Sequence, residues 1–158
     1  MTDEYANGTR WEDADFNNMS WHDCYIHTLG IDKAMPFRTD LVLDLDYICR
    51  VTKTSNGTLH IYMAPAFLRF LDVCNVCIRI SREDLHIFCI DRVFNTDERD
   101  HWTIRFTDSY EQDHRIEFDA AAFVQELRSS PVEVGGCMLS QQQREEMIRQ
   151  ERGQPPTE

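Results

Sequence analysis

Apolar and polar residues alternate with a period of two along most of this chain, the pattern of strands that turn one face to a core and the other to water. The clearest case is Leu41, Leu43, Leu45, Tyr47 and Cys49, which alternate with Val42, Asp44, Asp46, Ile48 and Arg50. One pleated face there is wholly apolar and must cover a core, while Asp44 and Asp46 share the other face, expected to be solvated. A weaker strand over Tyr25 to Leu29 precedes it. Ser55-Asn56-Gly57-Thr58 predicts a hairpin, because Asn-Gly accepts the positive φ values of a type I′ turn. Leu59, Ile61 and Met63 then run back. Pro65 has no amide proton for a ladder, so that strand is expected to end, bulge or lie at an edge before Ala66 to Leu71 begins another.

After a turn over Asp72 to Asn75, Val76, Ile78 and Ile80 form one alternating run, and Leu85, Ile87 and Cys89 form a second. The charged residues Arg82-Glu83-Asp84 between them predict a hairpin. A polar loop over Asn95 to His101 leads to a strand carrying Trp102, Ile104 and Phe106. A second polar turn over Asp108 to Asp113 leads to His114 to Phe118. The period then changes. Asp119 can cap a helix whose stripe is Phe123, Val124 and Leu127, ending near Ser129-Ser130-Pro131. Val132 to Met138, with Gly135-Gly136, reads as loop. Ser140-x-x-Gln143 matches a capping box opening a charged helix through about Arg149. Residues 153–158 read as a disordered tail.

The fold class that follows is α+β, mostly β: an antiparallel sheet forming a sandwich or open roll of seven to eight strands, with one or two short C-terminal helices. A length of 158 residues suits one domain, placed over 19–150. Residues 1–18 hold Asp3, Glu4, Glu12, Asp13 and Asp15 against Arg10, which reads as a loose acidic arm or a short strand entry.

Charge changes the functional picture more than composition does. With 28 acidic and 16 basic residues, the formal net charge of −12 repels a phosphate backbone, which argues against nucleic acid as a partner. The start of the chain lacks a basic and apolar leader, and no run approaches the roughly 18 apolar residues of a membrane span, so a soluble cytoplasmic protein without a membrane partner is expected. The six cysteines then read as reduced and buried.

Candidate chemistry is thin. Cys74-Asn75-Val76-Cys77 has the spacing of redox and zinc sites, but it lacks a second ligand pair and sits at a turn entering a strand, where no helix dipole lowers a thiol pKa. His22-Asp23, with His27, Asp44 and Asp46, offers the ligand and proton-carrying types of a metal or acid/base site, without metal-ligand spacing. The plainer reading makes His22-Asp23 a structural pair at the entry of the first strand, with Trp21 as its anchor. Hydrolase elbow, phosphate-loop, dinucleotide and zinc-protease motifs are absent, and no cofactor is called for. The acidic excess is the remaining signal. Asp40, Asp44, Asp46, Asp91, Asp97, Glu98, Asp100, Asp108, Glu111 and Asp113 fall on strand faces and neighbouring turns.

The segment Ser20-Trp21-His22-Asp23-Cys24-Tyr25-Ile26-His27-Thr28-Leu29-Gly30-Ile31-Asp32 resembles the opening of small bacterial immunity proteins of polymorphic toxin systems. In those proteins an aromatic-His-Asp triplet leads into a first strand, followed by an acidic strand like Asp40 to Tyr47. Phe70-Leu71-Asp72-Val73, Ile104-Arg105-Phe106 and Ile116-Glu117-Phe118 are similar to the rest of that pattern, so the resemblance spans about residues 19–125. It implies a cytoplasmic inhibitor that binds a toxin domain and has no catalytic residues. The expected function is thus a non-enzymatic protein-binding module for a basic partner, contacting it through Asp44, Asp46, Asp91, Asp97, Glu98, Asp100 and Trp21. The alternatives are a metal-dependent or carboxylate-based enzyme using His22, Asp23, Asp44 and Asp46, and a structural protein whose acidity serves solubility.

Overall fold

The computed structural model describes residues 9–81, 83–95, 98–107, 114–136 and 138–153. Its strands are β1 (Arg10–Glu12), β2 (Tyr25–Met35), β3 (Arg38–Lys53), β4 (Leu59–Leu71), β5 (Cys74–Arg79), β6 (Ile87–Val93), β7 (Asp100–Phe106), β8 (Arg115–Ala120), β9 (Ala122–Leu127) and β10 (Val132–Val134). A 3-10 helix spans Asp13–Asn18, and α1 spans Gln141–Glu151. The first sheet has the order β1-β9-β4-β3-β2, with β10 alongside β4, and the second has the order β5-β8-β7-β6. All the pairings are antiparallel. This is the expected mostly-β architecture with a short C-terminal helix.

The apolar face of β3 is where the alternation places it, with Leu41, Leu43, Leu45 and Tyr47 buried opposite Phe70, Leu68, Ala66 and Ala64 of β4. The second sheet presents Trp102, Ile104 and Phe106 from β7 and Ile116 and Phe118 from β8. The two layers meet through aromatic rings: Phe70 lies 5.0 Å from Trp102 and 4.6 Å from Phe118, between centroids. Such tilted contacts add about 1 kcal/mol each beyond area burial.

Two corners placed side by side carry the chain between the sheets. In the first, Asp72 (φ 54°) and Asn75 (φ 53°) adopt the left-handed region that short polar side chains tolerate. Arg99 holds this corner by donating to the Asp72 carbonyl at 3.0 Å and to its carboxylate at 2.6 Å. In the second, Ala121 separates β8 from β9 and donates its N–H to the Leu71 carbonyl at 2.9 Å.

Several sequence expectations need correction. The helix expected after Asp119 is strand: β8 continues through the Ala121 corner into β9, where Phe123 and Gln125 are buried at a period of two. Phe123 and Leu127, four residues apart, satisfy both periods, whereas Val124 falls on the opposite strand face, and pairing with β4 and β1 decides for the strand. Pro65 does not end a strand either, since β4 runs through it. Its carbonyl accepts from Arg128 N at 2.8 Å, so its missing N–H points the same way, into the gap where the neighbour of β4 changes from β10 to β9.

The runs containing Ile78 and Ile87 do not form a hairpin, because β5 and β6 are opposite edges of the second sheet. The Asn56-Gly57 turn is a hairpin with only Gly57 at positive φ (88°), a three-residue loop closed by Thr54 N to Thr58 O at 2.9 Å, and not a type I′ turn. Val132–Val134, read as loop, is β10. The acidic segment is a strand entry from Arg10 onward: Trp11 is buried, and Phe16 packs edge-on to Trp102 at 5.3 Å. The turn over 108–113 and the tail over 154–158 lie outside the described residues, as do Asp97 and Cys137. The capping box at Ser140 is formed, with Gln143 N donating to Ser140 Oγ at 3.2 Å and Gln143 Oε1 accepting from Ser140 N at 3.0 Å. No helix among the described residues is long and apolar enough to cross a membrane.

Candidate functional site

Asp44 and Asp46 leave β3 on the outer face of the first sheet, but α1 folds back over that face and takes them out of water. Asp46 is fully buried. Its carboxylate receives Arg144 from α1, His27 Nε2 of β2 at 2.9 Å and the backbone N–H of Leu139 at 3.2 Å. Asp44 receives Arg144 as well, together with Arg128 Nη1 at 3.0 Å. Arg128 also reaches Glu151 at 2.9 Å and stacks over Phe67 at 4.2 Å. The solvated acidic face expected on β3 is therefore a covered ion-pair network that fastens the helix to the sheet, and neither carboxylate is offered to a partner.

Asp100 is likewise committed. Arg92, itself nearly buried, donates to Asp100 at 2.8 Å and to Asp13 at 2.9 Å, and Asp13 caps the N–H of Phe123 at 2.9 Å. Trp21 is buried and donates its indole N–H to Gln125 Oε1 at 2.7 Å, so it anchors the loop and offers a partner no more than the floor of a groove. The backbone fixes the strand entry next to it: Asp23 N donates to Ile87 O and Ile87 N to Cys24 O, both at 2.9 Å, with Asp23 at φ 63°. His22 and Asp23 contact each other at 3.6 Å on the surface. The four residues of the enzyme alternative do not converge, and no three His, Cys, Asp or Glu side chains gather as metal ligands among the described residues.

Among the described residues, two of the acidic partner-binding candidates remain at the surface. Asp91 projects from β6 with Arg105 at 3.0 Å, and Glu98 is exposed in the loop after it. Asp91 accompanies an apolar feature. Beyond Ile87, β6 pairs with β7 alone among the described residues, which leaves its other side a free edge. A bulge between Ile87 and Cys89 turns Phe88 outward, where it is half-exposed against the His22 ring at 5.6 Å. A groove of about 300 Å³ beside it is lined by Phe16, Met19, Trp21, His22, Phe88 and Ile90. Farther along the same edge Val93 is exposed and Phe94 is 72% exposed, with Arg92 stacked on the Phe94 ring at 4.7 Å. The edge thus joins large apolar side chains to Asp91 on the same strand, with Asp23 beside the groove-lining His22.

Neither Phe88 nor Phe94 was singled out from the sequence. The available signal was that the segment from Ile87 to Ile90 is apolar at both parities, as a strand is when it is covered on both faces or carries a surface patch.

The expectation of buried cysteines holds for Cys24 and Cys49 alone among the described ones, since the strand edges and turn leave Cys74, Cys77 and Cys89 partly exposed. Cys24, Cys49, Cys74, Cys77 and Cys89 are free. Burial pushes the Cys24 and Cys49 thiols up to about 12, and burial followed by the nearby Asp91 pushes Cys89 up to about 11. All three are therefore neutral thiols near pH 7.

Compared with protein-family models, curated proteins and solved structures, the chain gives no match.

Proposed function

We propose that this chain is a non-enzymatic protein-binding module that captures a basic protein partner along the β6 edge, as an immunity protein captures a toxin domain. The observation that carries this reading is the free edge of β6, where Phe88 stands exposed beside an apolar groove, Val93 and Phe94 are exposed farther along, and Asp91 projects from the same strand. Aromatic anchors inside a polar rim are the usual anatomy of a protein contact. An edge strand also offers unpaired backbone groups to an extended segment of the partner.

The charge ledger supports a basic partner. Arg92, Arg99, Arg128 and Arg144 are all held in internal ion pairs, so the excess of 12 negative charges is left to act on the surroundings. Such a field speeds encounter with a cation-rich surface and opposes acidic competitors.

Co-purification with the product of the adjacent open reading frame, followed by stopped-flow association, tests the proposal. Raising salt from 50 to 500 mM shortens the Debye length from about 14 Å to about 4 Å, and the on-rate is expected to fall about tenfold. Phe88→Asp with Phe94→Asp is expected to abolish binding while leaving the melting temperature close to wild type. A partner that binds with equal rate and affinity in both tests overturns the reading.

A further inference from the structure

We propose that a second copy of this chain pairs antiparallel along the free edge of β5, about a two-fold axis at Ile78, joining two four-stranded sheets into one of eight. Isoleucine lines a single row across the inner face of the second sheet: Ile78 on β5 stands opposite Ile116 on β8, Ile116 opposite Ile104 on β7, and Ile104 opposite Ile90 on β6. Directly opposed residues of an antiparallel pair share a face, so this is one continuous strip of side chains. Ile116 and Ile104 are fully buried and Ile90 is 9% exposed, but Ile78 is 44% exposed because no strand among the described residues continues the row past β5. The core is open at that end.

The edge lacks the usual guards. Natural edge strands carry Lys, Pro, inward-pointing charge or strong bulges that discourage pairing. From Val76 to Ile80 the chain has one charge, Arg79, and no carboxylate, although it holds 28 elsewhere. Val76 and Ile80, both exposed, flank Ile78. A bulge interrupts β5 only at its start, between Cys74 and Cys77.

The outer face of the same sheet makes the edge complementary to itself. Arg79, Arg115 and Arg105 form one row across β5, β8 and β7, and Cys77, Glu117, Thr103 and Asp91 form the adjacent row, which extends to β6. An axis at Ile78 places Cys77 opposite Arg79 of the second copy, and Val76 opposite its Ile80. Each arginine row then runs on into the other copy's Glu117 row. Two strand spacings separate Glu117 from Arg79 of the second copy, about 10 Å between backbones, which the two extended side chains can span. The contact is isologous, so it closes on itself as a dimer and does not propagate.

Sedimentation equilibrium on the purified chain alone tests this independently of any other protein. A dimer is expected at about 50 µM, and Ile78→Lys, which sets two ammonium groups face to face across the axis, is expected to weaken it about 100-fold or more. The melting curve of the variant reports whether it folds. An Arg79→Cys variant gives a second readout in an otherwise native edge. On mild oxidation it should form a covalent dimer through native Cys77 of one copy and the substituted position of the other, since only directly opposed positions meet disulfide geometry. A wild-type chain that stays monomeric, a dimer indifferent to Ile78→Lys, or a link joining Cys77 to Cys77 would each overturn the proposal.

Discussion

Strands β3 and β8 carry nearly the same pattern, yet their outer faces meet opposite fates. Each lies inside its sheet, each turns an apolar face to the core, and each places two carboxylates on the other side: Asp44 and Asp46 on β3, Glu117 and Asp119 on β8. Asp46 is 0% exposed, whereas Asp119 keeps about a quarter of its side chain in water, with Asn75 Nδ2 at 2.7 Å and His101 Nδ1 at 2.8 Å. The difference lies in what covers each sheet. Arg128 and Arg144, 84 and 100 residues along the chain from Asp44, return over β3 with α1, whereas Glu117 and Asp119 on β8 each keep about a quarter of the side chain exposed. Alternation therefore reports which face is apolar, and not whether the polar face is wet.

The sharpest break of this comparison is a pair of truncations. Asp46→Ala leaves Arg144 with Asp44 alone and the Leu139 N–H without its acceptor in a buried site and should cost about 3 to 5 kcal/mol in urea unfolding, as much as Leu45→Ala on the core face. Asp119→Ala should cost less than about 1 kcal/mol. Equal costs at Asp46 and Asp119 would show that α1 does not seal the first sheet in solution.

A double-mutant cycle sharpens the same contrast. Asp46 with Arg144 should couple by about 1 to 3 kcal/mol, while Glu117 with Arg115, 3.0 Å apart on β8, should couple by only a few tenths. A coupling near zero for Asp46 and Arg144 would mean that packing and not charge holds the helix.

Acid should separate the two sheets by less. On the first sheet, Asp40 is held below the ordinary value of 3.8 by the two-pronged Arg38 contact at 2.8 Å, with further help from the Asp72 N–H and Arg69. On the second sheet, Asp119 is held below it by Asn75 and then His101. A carboxylate depressed in the folded state binds protons more readily when unfolded. Its contribution is complete above the ordinary value and is lost as pH falls through the depressed one. Stability should therefore decline below about pH 4, with Asp40→Asn flattening that limb more than Asp119→Asn, because Asp40 is the better shielded. An unchanged limb in Asp40→Asn would remove Asp40 from the account.

The smallest effect is chemical. With iodoacetamide at pH 8, Cys24 and Cys49 should stay unmodified in the native protein while the partly exposed Cys74 and Cys77 react, as read by peptide mass mapping. Early labelling of Cys24 would contradict its burial beneath the Trp21 loop.

The sequence by itself determined the local features. The apolar face of β3, the hairpin at Gly57, the capping box of α1 and the mostly-β class all follow from period, glycine and side-chain hydrogen bonding within a few residues. Only the tertiary structure decided the rest. Phe123 fits a helix stripe and a strand face equally well, and its partners on β4 chose the strand. Pro65 is compatible with a central strand only because its missing N–H meets the gap between β10 and β9. Ile78 and Ile87 look alike as neighbouring alternating runs, yet strand order sends them to opposite edges. That order also gives the acidic candidates their separate fates, with Asp46 sealed under α1 and Asp91 left at an aromatic edge. The physical reason is range. Propensity and capping act over a few residues, while burial and ion pairing depend on segments that meet only after the chain has closed loops of many tens of residues.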